Sequence, residues 1–227
     1  MEGRGRDMET AVSTRGREVS AWMLDALFPR FCLRCDRERT LWCADCDAAW
    51  VPNMPPPLRQ PTLHLDGLVS ATLYGDPIVR RGIGSWKYDG DKEAERTVRR
   101  WVGRSNAFAN LPGRFDAVVH VPLAIARKRS RGFDQAEILA RQVSEILCVP
   151  FVPLLSRIRN GSPRAKVGRS ERRIGDLDRF FAARSASPCR VLLVDDVFTS
   201  GATMDAAAMC LKRSGAQEVW GFTAARG

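Results

Sequence analysis

Apolar residues recur along the chain at two spacings, one typical of strands and one typical of helices. Alternation and short continuous apolar runs predict strands, whereas apolar positions three or four residues apart predict the buried face of a helix. Asp134 and Glu137 have the spacing of a capping box, which supports a helix start at that point. We expect strands at Leu65 to Tyr74, Phe115 to Pro122 and Val149 to Leu155, and helices at Lys92 to Val102 and Asp134 to Leu147.

The clearest pattern lies near the C-terminal end of the chain. Val191 to Val194 is a continuous apolar run, and Ala202 to Lys212 has helical spacing. Gly215 suits a helix end, and Glu218 to Ala224 then returns as a strand. Strand, helix and strand form a βαβ unit. Together with the earlier elements, this unit predicts an α/β fold with a mostly parallel sheet flanked by helices on both faces.

Other segments interrupt this pattern and suggest boundaries. Glu18 to Leu27 predicts an amphipathic helix that Pro29 ends, and consecutive prolines between Val51 and Pro61 indicate a linker. Arg157 to Arg173 has neither period and is rich in Arg, Gly and Ser, so we expect a long mobile loop there. The expected organisation is a disordered tail at residues 1–18, a helix with a small four-cysteine domain at 19–54, a linker at 55–62 and a main domain at 63–227.

Composition and charge narrow the class of protein. The 227 residues are 44% hydrophobic and 27% charged, close to the average for globular chains. No apolar run approaches the roughly 20 residues needed to span a bilayer, and none resembles a signal peptide, so we expect a cytoplasmic protein without a membrane span. The net charge of +10 would suit a nucleic-acid or membrane partner. This charge is local, because residues 127–173 hold twelve Lys or Arg against four Asp or Glu.

The segment from Val191 to Thr203, VLLVDDVFTSGAT, combines a buried strand with acids and hydroxyls. Asp195 and Asp196 follow the apolar run at the carboxyl end of the strand, where open α/β sheets bind ligands. The next residues open a helix, whose free N–H groups, with a glycine and hydroxyls nearby, form an anion cradle. The carboxylates suit vicinal sugar hydroxyls instead. The expected sugar-phosphate loop consists of Thr199, Ser200, Gly201, Ala202 and Thr203.

The residues of this segment also occur in other kinds of site. The segment could be an ordinary strand end followed by a well-capped helix. A Walker B strand would need a phosphate loop with a Gly-Lys dipeptide, and the chain contains none. A receiver-domain acidic pocket would open its domain, yet only 31 residues follow Asp196. Gly82 and Gly84 lack the third glycine of a dinucleotide fingerprint.

Four of the seven cysteines form a cluster with metal-site spacing. They make two CxxC pairs separated by seven residues, the pattern of a tetrahedral zinc site. Four protein ligands close the coordination sphere, so we expect structural Zn2+ at Cys32, Cys35, Cys43 and Cys46. A redox pair or buried free thiols are the alternative. The isolated cysteines Cys148, Cys189 and Cys210 are expected to be core residues, as is His120.

These motifs resemble known families. Val191 to Thr203 looks like the phosphoribosyl diphosphate (PRPP) motif of type I phosphoribosyltransferases, with Ser200 where threonine is commoner. A four-cysteine finger before such a motif resembles the ComF family, the competence-associated phosphoribosyltransferase-like proteins. Further matches are LFP before the first cysteine pair, SWKYDGD at residues 85–91 and VPLAIARKRSRGFDQA at residues 121–136.

The resemblance implies a set of roles. Asp195 and Asp196 would hold the ribose hydroxyls of PRPP, the loop Thr199 to Thr203 its 5-phosphate, and Mg2+ would accompany the substrate. Arg127 and Arg131 would lie by the pyrophosphate, with Gly132, Phe133 and Gln135 matching beside them. A basic lid from Arg164 to Arg173, including Arg172, would close over the site, although Arg164 replaces a usual Gln and Gly175 a usual Asn. The implied catalytic residues are Asp195, Asp196 and Arg127.

Two functions remain open from the sequence. One is an enzyme that transfers phosphoribose from PRPP to an acceptor bound against residues 65–101. The other is a non-catalytic module that senses PRPP or nucleotides and binds single-stranded DNA or a DNA-uptake helicase or channel protein. The family's association with competence supports the second, and a binder could share every residue of the site.

Overall fold

The computed structural model describes residues 29–157, 180–182 and 190–227. Contacts divide the chain into two compact units, Met1–Trp50 and Val51–Gly227. The expected tail at residues 1–18, the helix Glu18 to Leu27, Cys189 and the basic lid with Arg172 lie outside the described residues. The domain limits given above therefore stay a prediction.

A five-stranded sheet forms the centre of the second unit, in the order β1-β2-β7-β6-β3. Strand β1 is antiparallel to β2, and the other three pairings are parallel. A separate antiparallel pair joins β4 to β5. The strands are β1 (Leu58–Arg59), β2 (Gly67–Leu73), β3 (Ala117–His120), β4 (Leu155–Arg157), β5 (Phe180–Ala182), β6 (Arg190–Phe198) and β7 (Glu218–Arg226). The mostly parallel α/β sheet is the predicted fold class, and β1 lies within the segment expected as a linker.

Six α-helices and two shorter helical turns accompany the strands in the described ranges. The helices are α1 (Ala44–Ala48), α2 (Pro77–Gly84), α3 (Lys92–Arg104), α4 (Ile125–Arg131), α5 (Gln135–Leu147) and α6 (Ala202–Arg213). A π-helical turn, Ser85–Asp89, follows α2, and a 3-10 turn, Asn106–Asn110, follows α3. The longest of these helices have 13 residues. None of the described helices has both the length and the apolar character needed to traverse a bilayer.

Side-chain caps explain why several helices begin where the sequence predicts. Asp91 accepts hydrogen bonds from the N–H groups of Glu93 and Ala94 at the start of α3. Asp134 accepts one from the N–H of Glu137 at 3.3 Å, as expected for the capping box. At the other end of α6, Gly215 adopts the left-handed conformation with φ of 103°.

Two predicted strands end or begin elsewhere. Residues 149–155 were expected as one strand, but only Phe151 bridges to Val118 there, and β4 begins at Leu155. Pro150 and Pro153 explain the interruption, because proline has no N–H to donate to a ladder. Strand β6 continues four residues beyond Val194, because its pairing with β7 extends to Phe198.

The core occupies both faces of the sheet. On one face, Val191 and Leu193 of β6 pack with the alanine-rich side of α6 and with Phe180. Leu192 and Val194 alternate with them, point to the opposite face and are also fully buried. Helix α5 contacts β3 and β6, and α3 contacts β2 and β7. This layering holds the carboxyl ends of β2, β3 and β6 in a fixed arrangement.

Candidate functional site

The first unit brings the four clustered cysteines together. Their Sγ atoms all lie within 4.8 Å of one another, and those of Cys35 and Cys43 are 3.6 Å apart. Tetrahedral zinc bonds of about 2.3 Å place thiolate sulfurs roughly 3.8 Å apart. The cluster could therefore hold a metal ion such as zinc.

Local backbone geometry builds this cluster from two knuckles. In the first, the N–H of Cys32 donates to the carbonyl of Arg37, and the N–H of Asp36 donates back to the carbonyl of Cys32. In the second, Cys43 precedes α1, and its Sγ accepts from the N–H of Cys46 at 3.4 Å. Backbone donors directed at thiols favour the thiolate form that metals require.

The pKa values of the cysteines follow from this environment. Burial opposes ionisation of Cys32, but backbone N–H groups near Cys43 and Arg34 outweigh it and lower the pKa of the Cys32 thiol to about 6. Burial and the neighbouring thiols raise the pKa of Cys46 to about 12. Metal binding to the cluster would therefore release protons.

Cys148 and Cys210 differ from their expected positions in the core. Cys148 is exposed, because it ends α5 in the left-handed conformation with φ of 52°. Cys210 is partly buried and packs against the core cluster. His120 is buried with 6% exposure, as predicted.

A cavity of about 370 Å³ in the second unit lies at the carboxyl ends of β2, β3 and β6. This is the edge where open α/β sheets bind ligands. Of the sequence-predicted residues, it is lined by Arg127, Arg131, Asp195, Asp196, Thr199 and Thr203. Ser200, Gly201 and Ala202 belong to the same loop but do not line the cavity.

Asp195 and Asp196 occupy the last part of β6 and do not follow it, contrary to the prediction. Asp195 pairs with Thr223 of β7, so both acids are held by ladder geometry. The N–H of Asp196 also donates to Oδ1 of Asp195 at 2.8 Å. The carboxylates are therefore fixed in position on a rigid strand.

Burial and like charge act on the acidic pair. Burial raises the pKa of the Asp195 carboxyl well above its usual range, and the Asp196 carboxylate raises it further. The N–H of Asp196 and the Lys87 ammonium act in the opposite direction. Lys87 Nζ lies 2.8 Å from Asp196 Oδ1, and each side chain is 15% exposed. The acids and this lysine thus form one electrostatic cluster in the cavity wall.

The expected sugar-phosphate loop leads into a helix that begins where the sequence predicts. Helix α6 starts at Ala202, and Gly201 precedes it in the left-handed conformation with φ of 78°. No side chain caps this end of α6. Its first N–H groups therefore stay available to an anion next to the hydroxyls of Thr199 and Thr203.

A preceding segment braces this loop. The backbone N–H of His64 donates to Asp205 Oδ1 at 2.8 Å, and His64 Nδ1 lies 3.1 Å from Oδ2 of the same carboxylate. Asp205 belongs to the first turn of α6. A methyl group at Gly201 would come within 2.7 Å of the Thr62 side chain. Residues 62–64 therefore fix the loop from one side.

Two of the basic residues that line the cavity, Arg127 and Arg131, come from α4, which has no buried side chain. Arg127 is exposed, and the Arg131 guanidinium lies over the Tyr88 ring at 5.4 Å and donates to Gln135. Gly132, with φ of 81°, ends α4. The RGF segment therefore separates two helices, whereas the resemblance had it begin the second.

Glu137 of α5 holds α4 through Lys128, with 2.9 Å between Nζ and Oε2, and also pairs with Arg141. These bonds, that of Arg141 first, lower the pKa of Glu137 to about 2.

Glu137→Gln is expected to reduce the free energy of unfolding by about 1 kcal/mol at pH 7, since the partners are half exposed. A carboxyl whose folded pKa is lowered stabilises the fold above its usual pKa of 4.5 and loses that contribution as pH falls towards 2.

Urea unfolding of the wild type and the variant at several pH values measures this effect. The difference between them should shrink as pH falls from about 5 to 3. Glu145→Gln, on the same helix, is the matched control and should change little. A difference that is independent of pH would contradict the ion-pair explanation.

Several polar cavity residues were not predicted as site residues, among them Tyr74, Lys87, Tyr88, Asp134 and Arg157. Lys87 and Tyr88 belong to SWKYDGD, which the sequence offered only as a family resemblance. The π-helical turn that carries them leaves no periodic pattern of apolar residues in the sequence. Such turns often occur at functional sites. Arg157 was assigned to an irregular loop, but it ends β4.

Comparisons with known proteins bear on this site. No family model matches the sequence. Competence protein ComFC of Bacillus subtilis is 28% identical over 199 residues, which cover 86% of this chain and 77% of the relative. Competence protein F of Haemophilus influenzae is 32% identical over 116 residues, 48% of this chain and 51% of the relative. Competence protein ComFC of Streptococcus pneumoniae is 32% identical over 108 residues, 48% of this chain and 47% of the relative.

Solved structures include two phosphoribosyl-related enzymes. Glutamine PRPP amidotransferase from B. subtilis, complexed with ADP and GMP, has a TM-score of 0.39 and 22% identity, over 51% of this chain and 24% of the other. Purine phosphoribosyltransferase from Pyrococcus horikoshii has a TM-score of 0.32 and 15% identity, over 66% of this chain and 82% of the other. These scores are low, so the fold is described from its own strand order.

The sequence similarity to the B. subtilis competence protein extends over most of the chain, which holds both the cysteine cluster and the acidic strand. The parallel sheet, with Asp195 and Asp196 before the glycine loop of α6, has the arrangement expected for a phosphoribosyltransferase-like domain. With these features, the chain is similar to the competence proteins ComFC and F and has a mostly parallel α/β sheet in its second unit.

Proposed function

We propose that this protein binds PRPP with Mg2+ in the cavity and transfers its phosphoribosyl group to an acceptor. The observation that carries the proposal is that paired carboxylates and an uncapped helix start share one cavity with arginine side chains. Carboxylates suit a sugar diol, the helix start suits a phosphate, and arginines suit a pyrophosphate. PRPP contains these three groups in one molecule.

Each part of the substrate then has a named partner. Asp195 and Asp196 accept hydrogen bonds from the ribose hydroxyls, and the loop Thr199 to Thr203 binds the 5-phosphate. Arg127 and Arg131 face the pyrophosphate, and Arg172 of the predicted lid would join them on closure. Fixed on β6 and α6, these groups would orient the sugar without reorganisation.

The transfer breaks the bond between C1 and the pyrophosphate oxygen, and its electron pair leaves with pyrophosphate. A lone pair of the acceptor forms the new bond at C1, and the acceptor gives up its proton. Positive charge develops on the ribosyl ring and negative charge on the leaving group, so the acids and the arginines stabilise opposite ends of the transition state.

The residues present fit Mg2+. It prefers oxygen ligands, and Asp195 and Asp196 supply carboxylate oxygens in the cavity wall. When bound, Mg2+ would neutralise charge on the pyrophosphate. At the cysteine cluster, four thiols at zinc-like spacing support a structural Zn2+ instead. Thiols kept reduced for metal binding favour a cytoplasmic location.

Replacing both acids by asparagine, D195N with D196N, is expected to weaken PRPP binding by about 10- to 100-fold, because two charge-assisted hydrogen bonds become neutral ones. Calorimetry of PRPP binding at a fixed Mg2+ concentration measures this. Asp36→Asn, in the first unit, is the control and should bind normally. Unchanged affinity in the double variant would show that PRPP does not bind through these carboxylates, which would contradict the proposed site.

A second function, a PRPP-sensing module that binds single-stranded DNA or a DNA-uptake helicase or channel protein, is favoured by one observation. Helix α4 presents Arg127, Lys128 and Arg129 to solvent and buries no side chain. Such a surface suits a polyanion. The relatives' names as competence proteins also support it. PRPP binding without pyrophosphate release for any acceptor tested would favour this module over the enzyme.

A further inference from the structure

Lys87 belongs to the cavity wall but has no role in the site described so far. It lies in the π-helical turn Ser85–Asp89, which ends at Gly90 in the left-handed conformation. The preceding residue, Trp86, is fully buried and stacks on Phe133 at 6.4 Å. The backbone of the turn is therefore anchored on one side of Lys87 by a core residue. A lysine held in this way differs from a freely moving surface lysine.

The Lys87 ammonium has donors beyond its ion pair. Its Nζ lies 2.8 Å from Asp196 Oδ1, and Asp196 is the only ion-pair partner that the described residues give it. An ammonium has three N–H donors, so one can stay on Asp196 while the others donate into the cavity. Both side chains are only 15% exposed, which strengthens charge-assisted hydrogen bonds to a bound anion.

The stereochemistry of PRPP places an anion next to this ammonium. In PRPP the pyrophosphate on C1 lies on the same face of the ribose ring as the hydroxyls on C2 and C3. A carboxylate that accepts hydrogen bonds from those hydroxyls approaches the ring on that face. A cation adjacent to the carboxylate is therefore also adjacent to the pyrophosphate.

The geometry points to Lys87 as a further substrate-binding residue that bridges Asp196 and the pyrophosphate of PRPP. Its ammonium would hold the carboxylate against the sugar hydroxyls and donate to the leaving group at the same time. As the bond between C1 and oxygen breaks, the electron pair moves onto pyrophosphate, and the charge near Lys87 increases. This inference rests on the proposed function, because it assumes that PRPP occupies the cavity.

A comparison of two ligands tests the bridge. Ribose 5-phosphate has the sugar and the 5-phosphate of PRPP but no pyrophosphate. In calorimetry on the full chain at a fixed Mg2+ concentration, Lys87→Met should weaken PRPP binding by about 10- to 100-fold, as for loss of a charged hydrogen bond. Affinity for ribose 5-phosphate should change by less than about threefold, because the phosphate loop and the carboxylates remain.

Two other variants keep the result interpretable. Lys87→Gln retains an N–H donor without charge and should lie between the wild type and Lys87→Met, which gives a second measurement if the methionine variant unfolds. Lys92→Met is the matched control, since Lys92 pairs with Glu95 on the exposed side of α3. It should bind both ligands as the wild type does.

The outcomes separate this inference from the proposed function. Equal weakening of both ligands would mean that Lys87 only orients Asp196 and would overturn the bridge. Tighter PRPP binding in Lys87→Met would show that the lysine competes with the sugar, which also overturns it. Both results leave PRPP binding itself intact. Failure of the wild type to bind PRPP would instead overturn the proposed function, and the bridge with it.

Discussion

Removal of the proposed zinc ion is expected to unfold residues 29–50 completely while residues 51–157 and 190–227 stay folded. The described part of the first unit has a very small core. Besides the buried cysteines, it contains four large apolar side chains: Leu33, Leu41, Trp42 and Trp50. Chains of under about 40 residues seldom fold on such a core. Structural zinc contributes about 10–16 kcal/mol to comparable small domains, so its loss should exceed any stability this unit has.

Hydrogen exchange measured by mass spectrometry distinguishes the two units directly. Chelation, or Cys43→Ser, should remove amide protection from peptides in residues 29–50 and leave peptides of β6 and β7 protected. Metal analysis should give one zinc per chain for the wild type and none for Cys43→Ser. Cys148→Ser changes an exposed thiol outside the cluster and should retain both zinc and protection. Protection that persists in the metal-free wild type would show that the thiols pack without a metal.

Much of the fold could be predicted because local signals agree with tertiary ones. The start of α5 is fixed by Asp134, and the end of α6 by Gly215, and each of these depends on a side chain or backbone conformation visible in the sequence. The continuous apolar run at Val191 identifies a strand buried on both faces. Short-range chemistry of this kind needs no knowledge of distant contacts.

The extent of β6 could not be predicted with the same success. Asp195 and Asp196 have polar side chains, so their sequence suggests a strand end, yet pairing with β7 continues past them. That pairing depends on residues more than twenty positions away along the chain, as the register of Asp195 with Thr223 shows. Tertiary pairing therefore overrides local propensity.

Only the loop and the acidic pair of the candidate site could be predicted, for a related reason. Residues of the loop and the acidic pair are contiguous in sequence, so their pattern was visible. Lys87 reaches Asp196 across 109 positions, through a π-helical turn that has no periodic signature. A single lysine in a sequence resembles any solvated lysine, and only the fold shows that it is 15% exposed beside a carboxylate.

Gly201→Ala is expected to lower the free energy of unfolding by about 2–5 kcal/mol, because two costs add at this position. Gly201 has φ of 78°, a conformation that costs other residues about 1–2 kcal/mol. An added Cβ would also come within 2.7 Å of Phe198 Cζ and of Thr62 Cγ2. Phe198 is buried, so the ring has little room to move, and such overpacking costs about 1–3 kcal/mol. Denaturant unfolding measures the total.

The conformational cost and the packing cost can be separated, because another glycine has the left-handed conformation without the close contacts. Gly132 has φ of 81°, but an added Cβ there meets nothing within 4 Å, so Gly132→Ala should lose only the conformational part. Gly75→Ala meets nothing within 4 Å and should be nearly neutral. Equal losses for Gly201→Ala and Gly132→Ala would contradict the packing argument. Because Phe198 and Thr62 flank the loop, Gly201→Ala should also weaken ribose 5-phosphate binding, and a variant that is destabilised yet binds normally would place the 5-phosphate elsewhere.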